Sequence, residues 1–183
     1  MNFRLTTIGL ALAFATLVQA QTEDVAPPAD NPQGTIILYD KDNASCALPV
    51  PPEGSGITVT YSFTADGSPC KALQNKVRSV IFSNLQSAVN IIMTDNDECR
   101  MKHVSGADIP DFWIQLRTTA QHTSTPQIQL PTFYSYRPGQ LIERGVQVLG
   151  HFIYGDKVID KMSCLRVKAS QGIPSATSGT PQP

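Results

Sequence analysis

Charge of either sign is scarce in this chain, and the little there is nearly cancels. Asp, Glu, Lys and Arg make up 16% of the 183 residues, with 14 basic against 15 acidic side chains. A nucleic-acid footprint needs clustered Lys and Arg, as does attraction to anionic lipid, and no such run is present. The familiar signatures of catalysis are also missing. His103, His122 and His151 stand far apart and make no HExxH pair. The nearest string to Gly-x-Ser-x-Gly is Gly54-Ser55-Gly56, which reads as a flexible loop. Asp108 and Asp111 flank Pro110, but their spacing carries no information on how carboxylates would be placed about a glycoside. No two cysteines have the two-residue spacing of a zinc knuckle. Beyond the first twenty residues there is no long apolar run, so no membrane insertion is expected.

What is present begins at the N-terminus. MNFRLTTIGLALAFATLVQA has a basic start at Arg4, an apolar run from Ile8 to Val18, and an ending at Val18-Gln19-Ala20. This is the layout of a secretory signal peptide over residues 1–20, cleaved after Ala20. The apolar run falls short of the roughly 20 residues that a comfortable span requires. Cleavage would leave 183 − 20 = 163 residues, with Arg4 the only charge lost and a net charge of 13 − 15 = −2. That length suits one domain with a real core. Gln21 is not a cysteine, and the C-terminal stretch has no apolar run, so no lipid anchor is expected at either end. Export to an oxidising space makes the four cysteines, Cys46, Cys70, Cys99 and Cys164, disulfide candidates, and four cysteines allow three full pairings.

Residues 21–33 (QTEDVAPPADNPQ) carry three prolines and little apolar surface, and read as a flexible lead-in. Residues 169–183 have no charge and no aromatic, and are expected to be a disordered tail. The folded part is then 34–168. Its apolar runs are short and β-branched: Thr35–Tyr39, Ile57–Phe63, Val77–Phe82, Ala88–Met93, Phe112–Leu116, Ile128–Tyr134, Val146–Tyr154 and Cys164–Val167. Turn formers such as Asp40-Lys41-Asp42-Asn43 and Asp66-Gly67-Ser68-Pro69 separate nearly all of them, which argues for an all-β sandwich or barrel. In Val146–Tyr154, strict alternation puts Val146, Val148, Gly150 and Phe152 on one face and His151 on the other. One stretch has a second reading. Ser68-Pro69 followed by Leu73, Val77, Val80, Ile81 and Leu85 also fits a helix over about 70–86, which would make the fold α+β. We favour a short helical turn near Cys70–Gln74 and then a strand from Val77, because of an internal repeat.

Asn75-Lys76-Val77-Arg78-Ser79-Val80-Ile81-Phe82 can be laid over Asp160-Lys161-Met162-Ser163-Cys164-Leu165-Arg166-Val167. Upstream of each copy lies an apolar strand, an acidic turn and a cysteine, ending at Cys46 in the first and Cys99 in the second. The folded part thus divides into related halves, about 34–83 and 87–168, the second enlarged by an insertion. These residues resemble the βγ-crystallin Greek-key superfamily, whose motifs open a hairpin on an aromatic residue and begin the last strand with (Asn/Asp)-(Asn/Asp)-x-x-(Ser/Thr)-Ser. Tyr39 fits the aromatic start, Asn75 with Ser79 part of the first signature, and Asp160 with Ser163 part of the second. Gln74 and Ile159 depart from the first signature position, Arg78 replaces a hydroxyl, and the second hairpin has no aromatic start.

The resemblance implies a Greek-key sandwich of two related motifs, with one bridge in each half: Cys46 with Cys70 and Cys99 with Cys164. It also implies a possible Ca²⁺ site on the second copy, from Asp95, Asp97 and Ser163, since hard oxygen ligands suit that ion. In the first copy Arg78 would bring a positive charge to the place of the cation. No other cofactor is indicated. For a partner surface, the insertion 105–145 gathers Trp113, Tyr134, Tyr136 and Arg137, residue types enriched at binding hot spots. The competing assignment has Trp113 and Phe133 filling the core. Asn43-Ala44-Ser45 matches a glycosylation sequon, of use only in a eukaryotic host. The expectation is a secreted, disulfide-stabilised, non-catalytic binding protein of inhibitor or effector/antimicrobial type acting on an extracellular protein or cell-surface component. The alternatives are a structural Ca²⁺-binding module and a secreted hydrolase.

Overall fold

Short β-branched runs between turn formers supply eight of the ten strands in the computed structural model, which describes residues 34–101, 110–155 and 158–172. The leader 1–20, the lead-in 21–33 and the part of the tail beyond 172 lie outside the described residues. The strands are β1 (Thr35–Tyr39), β2 (Ser45–Pro49), β3 (Thr58–Ser62), β4 (Ser79–Ser83), β5 (Asn90–Thr94), β6 (Phe112–Thr118), β7 (Ile128–Gln129), β8 (Leu141–Glu143), β9 (Val146–Ile153) and β10 (Cys164–Lys168). They form two antiparallel sheets, β2-β1-β4-β7 and β3-β10-β5-β6-β9-β8. Alternate side chains of both sheets meet in one core: Ile36, Leu38, Val80 and Phe82 from the first, and Ile91, Met93, Ile114, Leu116, Val148, Leu165 and Val167 from the second. The fold is an all-β sandwich.

The path of the chain follows the repeat. In the first half β4 returns to lie beside β1, while β3 crosses to the other sheet and pairs with β10. In the second half β10 returns beside β5, and β7 crosses over to pair with β4. Each half therefore lends one strand to the other's sheet. The insertion 105–145 carries β6, β7 and β8, and β9 and β8 widen the second sheet beyond β6. Equivalent positions are equally buried: Val77 and Met162, Val80 and Leu165, Phe82 and Val167 are all in the core. Asn75 and Asp160, the first residues of the repeat, both take the left-handed backbone region, at φ 53° and 57°. Asn and Asp tolerate that region better than other non-glycine residues.

The helix considered over 70–86 is absent. Helical geometry lasts for one 3-10 turn, Lys71–Leu73, and ends as the chain reaches Asn75. The apolar spacing there arises because Leu73, Val77, Val80 and Leu85 reach one core from separate elements. The run Ile128–Tyr134 is a strand for two residues only. The Leu130 N–H still donates to Arg78 O at 2.8 Å, and Leu130–Ser135 then turns as 3-10 helix with Pro131 in its first turn, where a missing N–H costs nothing. In β9 a bulge near Leu149, opposite Gln115 and Leu116, breaks the expected alternation. Val146 and Val148 point inward, but beyond the bulge His151 and Ile153 pair with the inward Ile114 and Phe112, so Gly150 and Phe152 face out. Ala169–Gly172, placed in the tail by composition, continues the fold. Ala169 is buried and donates its N–H to Ile57 O, and Gly172 donates to Gly54 O.

Candidate functional site

The two copies of the repeat meet each other directly. Arg78 donates from Nε to Asp160 Oδ1 at 2.9 Å and from Nη2 to Oδ2 at 2.5 Å. Ser163, the counterpart of Arg78, donates its hydroxyl to Oδ1 of Asn75, the counterpart of Asp160, at 2.9 Å. The Asn75 N–H also donates to Met162 O at 3.0 Å. Hydrogen bonding to Arg78 holds the Asp160 carboxyl below the usual carboxylate range, helped by the charges of Arg78 and Lys41 against a partial burial penalty. The same bond raises the already high value of Arg78. A guanidinium thus occupies the first of these positions, and a neutral hydroxyl–amide pair the second.

This bears on the expected Ca²⁺ ligands. The Asp95 carboxylate accepts the Asp111 N–H at 2.8 Å and the Phe112 N–H at 3.4 Å, fixing the entry to β6. Ser163 is committed to Asn75, and Asp97 lies on an exposed turn. Among the described residues no three His, Cys, Asp or Glu side chains gather in one place.

The disulfides are Cys46–Cys70 and Cys99–Cys164, one in each half. They do not occupy equivalent positions, because Cys164 opens β10 where Ser79 opens β4. The second bridge has a local consequence. Asn96 accepts the N–H groups of Glu98 and Arg100 on its side-chain oxygen, and Cys99 takes φ 55°, so the hairpin curls back. Cys99–Cys164 and Arg166 Nη2, which donates to the carbonyls of Glu98 and Cys99, pin that curl to the outer face of the six-stranded sheet. Ile92 and Thr94 are buried there although their strand positions face away from the core.

The rest of that outer face is open around β6 and β9. Phe112, Ile114 and Leu116 turn inward, leaving Trp113, Gln115 and Arg117 outside. Trp113 is half-buried because its indole lies over Gly150: a Cβ on that glycine would meet the ring at 3.1 Å. Directly opposite Trp113 is Phe152, 39% exposed, and Tyr154 follows at 66%. Aromatic surface is therefore held on a rigid sheet face.

The other three residues expected to bind with Trp113 lie elsewhere. Tyr134 packs edge-on against His151, with ring centroids 5.0 Å apart, on the inward side of β9. Burial pushes its phenol well above the usual range, and the negative charge of Asp95 adds to this. Tyr136 packs against the core, and its carbonyl contacts His151 Nε2 at 2.9 Å. Arg137 is exposed on the following turn. Sequence reasoning missed Phe152 and Tyr154 as companions of Trp113; Gly150 two residues before Phe152 was the available signal, since only the lack of a Cβ admits an indole. His122 contacts Asn84 Oδ1 at 2.8 Å on an exposed loop, while His103 and Asp108 lie outside the described residues. No family model, curated protein or solved structure matches this chain.

Proposed function

We propose that this chain is a secreted, non-catalytic binding protein of inhibitor or effector type, engaging an extracellular protein or cell-surface component through the outer face of β6 and β9. The observation that carries the reading is the Trp113–Phe152 pair, an aromatic surface held on a sheet and still open to solvent. Large apolar side chains exposed together are a feature of interaction sites, and Trp is the type most enriched among hot spots. Two disulfides suit an oxidising compartment, and no helix among the described residues is long and apolar enough to cross a membrane. We also propose kinship with the βγ-crystallin Greek-key superfamily. The reciprocal contacts of Asn75, Arg78, Asp160 and Ser163, and the return of each half's last strand beside its first, support it.

The test compares wild type with Trp113→Ala and Phe152→Ala as bait for material from the surrounding medium and neighbouring cell surfaces. The expected result is a component retained by wild type and lost by both variants, with thermal midpoints preserved. Equal retention by all three would overturn the assignment of this face.

A further inference from the structure

Among the described residues four strands lie at sheet edges, and three of them are protected against pairing with another chain. β7 has two residues. β8 has three, a shifted register and Glu143. β2 ends on Pro49, with Pro51 and Pro52 close behind. Short length, bulges, charge and proline are the usual protections of an edge. β3 has none of them. It runs five residues, Thr58–Ser62, without proline, charge or register shift. The Phe63 N–H donates to Ser163 O, and the Ala169 N–H donates to Ile57 O. Odd-numbered residues therefore direct their main-chain groups toward β10, and Thr58, Thr60 and Ser62 direct theirs to the open side. The strand is held in place, because the Tyr61 hydroxyl donates to Pro49 O at 2.6 Å. Charges sit one strand in, on Arg166 and Lys168 of β10.

We propose that β3 pairs antiparallel with β3 of a second copy of this chain, centred on Thr60. Unpaired main-chain groups in a row are matched by an extended strand, and the row Thr58, Thr60, Ser62 is self-complementary. About a two-fold axis, Thr60 meets Thr60 and Thr58 meets Ser62, so every hydroxyl faces a hydroxyl, a favourable cross-strand pairing. Each opposed pair exchanges two main-chain hydrogen bonds. The contact is isologous and closes after two copies. It does not depend on the binding role of the Trp113 face, which lies at the other end of the same sheet.

Sedimentation velocity on the secreted chain from about 1 µM to about 1 mM, spanning weak to moderate affinities, tests this directly. The expected result is a monomer–dimer equilibrium. Thr60→Lys brings two like charges together at the axis and weakens it at least about 10-fold, while Ala47→Lys on the β2 edge leaves it unchanged. Amide exchange on the wild type needs no variant: the Thr60 N–H slows as the dimer fills. A monomer at every concentration, a dimer unaffected by Thr60→Lys, or a Thr60 amide indifferent to concentration overturns the proposal.

Discussion

Arg78 and Asp160, 82 residues apart, face each other across the junction of the two halves in the positions that Ser163 and Asn75 occupy on the reciprocal side. The main chain agrees, with the Arg78 N–H on Tyr39 O at 2.8 Å and the Ser163 N–H on Thr94 O at 3.0 Å. The junction is a reciprocal pairing in which one side is ionic and the other neutral. Arg78→Ser alone leaves the Asp160 carboxylate facing a hydroxyl and lowers stability. Adding Asp160→Asn rebuilds the neutral pairing seen at Ser163 and Asn75 and recovers part of the loss. Chemical denaturation of the wild type, both singles and the double measures the coupling, and strict additivity would contradict it.

The same pair sets an acid limb. The Asp160 carboxyl is lowered in the folded state, so its contribution is complete above the unfolded aspartate value of about 4 and is lost as pH falls through the folded value. Both side chains are partly exposed, so the contribution is modest and screened by salt. Urea midpoints measured downward from neutral pH fall less steeply for Asp160→Asn than for wild type below about pH 4.

Cys99–Cys164 spans 65 residues and Cys46–Cys70 spans 24. Loop entropy gives about 4 kcal/mol for the longer loop and about 3.5 kcal/mol for the shorter. The longer bridge also holds the hairpin over Ile92, so its removal frees that hairpin as well. Replacing Cys99 and Cys164 together by Ala therefore destabilises more than replacing Cys46 and Cys70, as read from denaturation midpoints.

Gly150→Val places carbon where the Trp113 ring lies. The indole must lift from the sheet, at a cost of about 1 kcal/mol or more. Because the chain has a single tryptophan, its emission moves to longer wavelength. An unchanged spectrum would mean that the ring does not rest on Gly150.

At the second hairpin Asp95 accepts backbone N–H groups and Ser163 donates to Asn75, contacts with which Ca²⁺ would have to compete. Thermal melts in Ca²⁺ and in chelator are expected to coincide; a clear rise in midpoint with Ca²⁺ would show a site that these contacts do not explain.

Much of the sandwich was legible in sequence because its strands carry the period-two or β-branched pattern and polar turns set them apart. The repeat favoured a strand over a helix at Val77–Phe82, since Lys76-Val77 matches Lys161-Met162 in order, and the structure buries Val77 and Met162 alike. β2 escaped notice because Ser45-Cys46-Ala47-Leu48-Pro49 has no β-branched residue, and β8 because three residues show no period. The binding face was half legible. Trp113 was visible as a residue type, but its companions depend on the bulge at Leu149, which turns Phe152 outward, and a bulge is a pairing event between β6 and β9 that neither strand encodes alone. Tyr134 and Tyr136 looked like surface aromatics until the 3-10 turn after Pro131 laid them against the core.

Acrylamide quenching of Trp113 fluorescence, with and without the extracellular fraction that wild type retains, tests the proposed binding face most directly. Binding through the outer face of β6 and β9 predicts that the indole is accessible in the free protein and shielded in the complex. Quenching that stays the same while the complex forms would show that the partner sits on another surface.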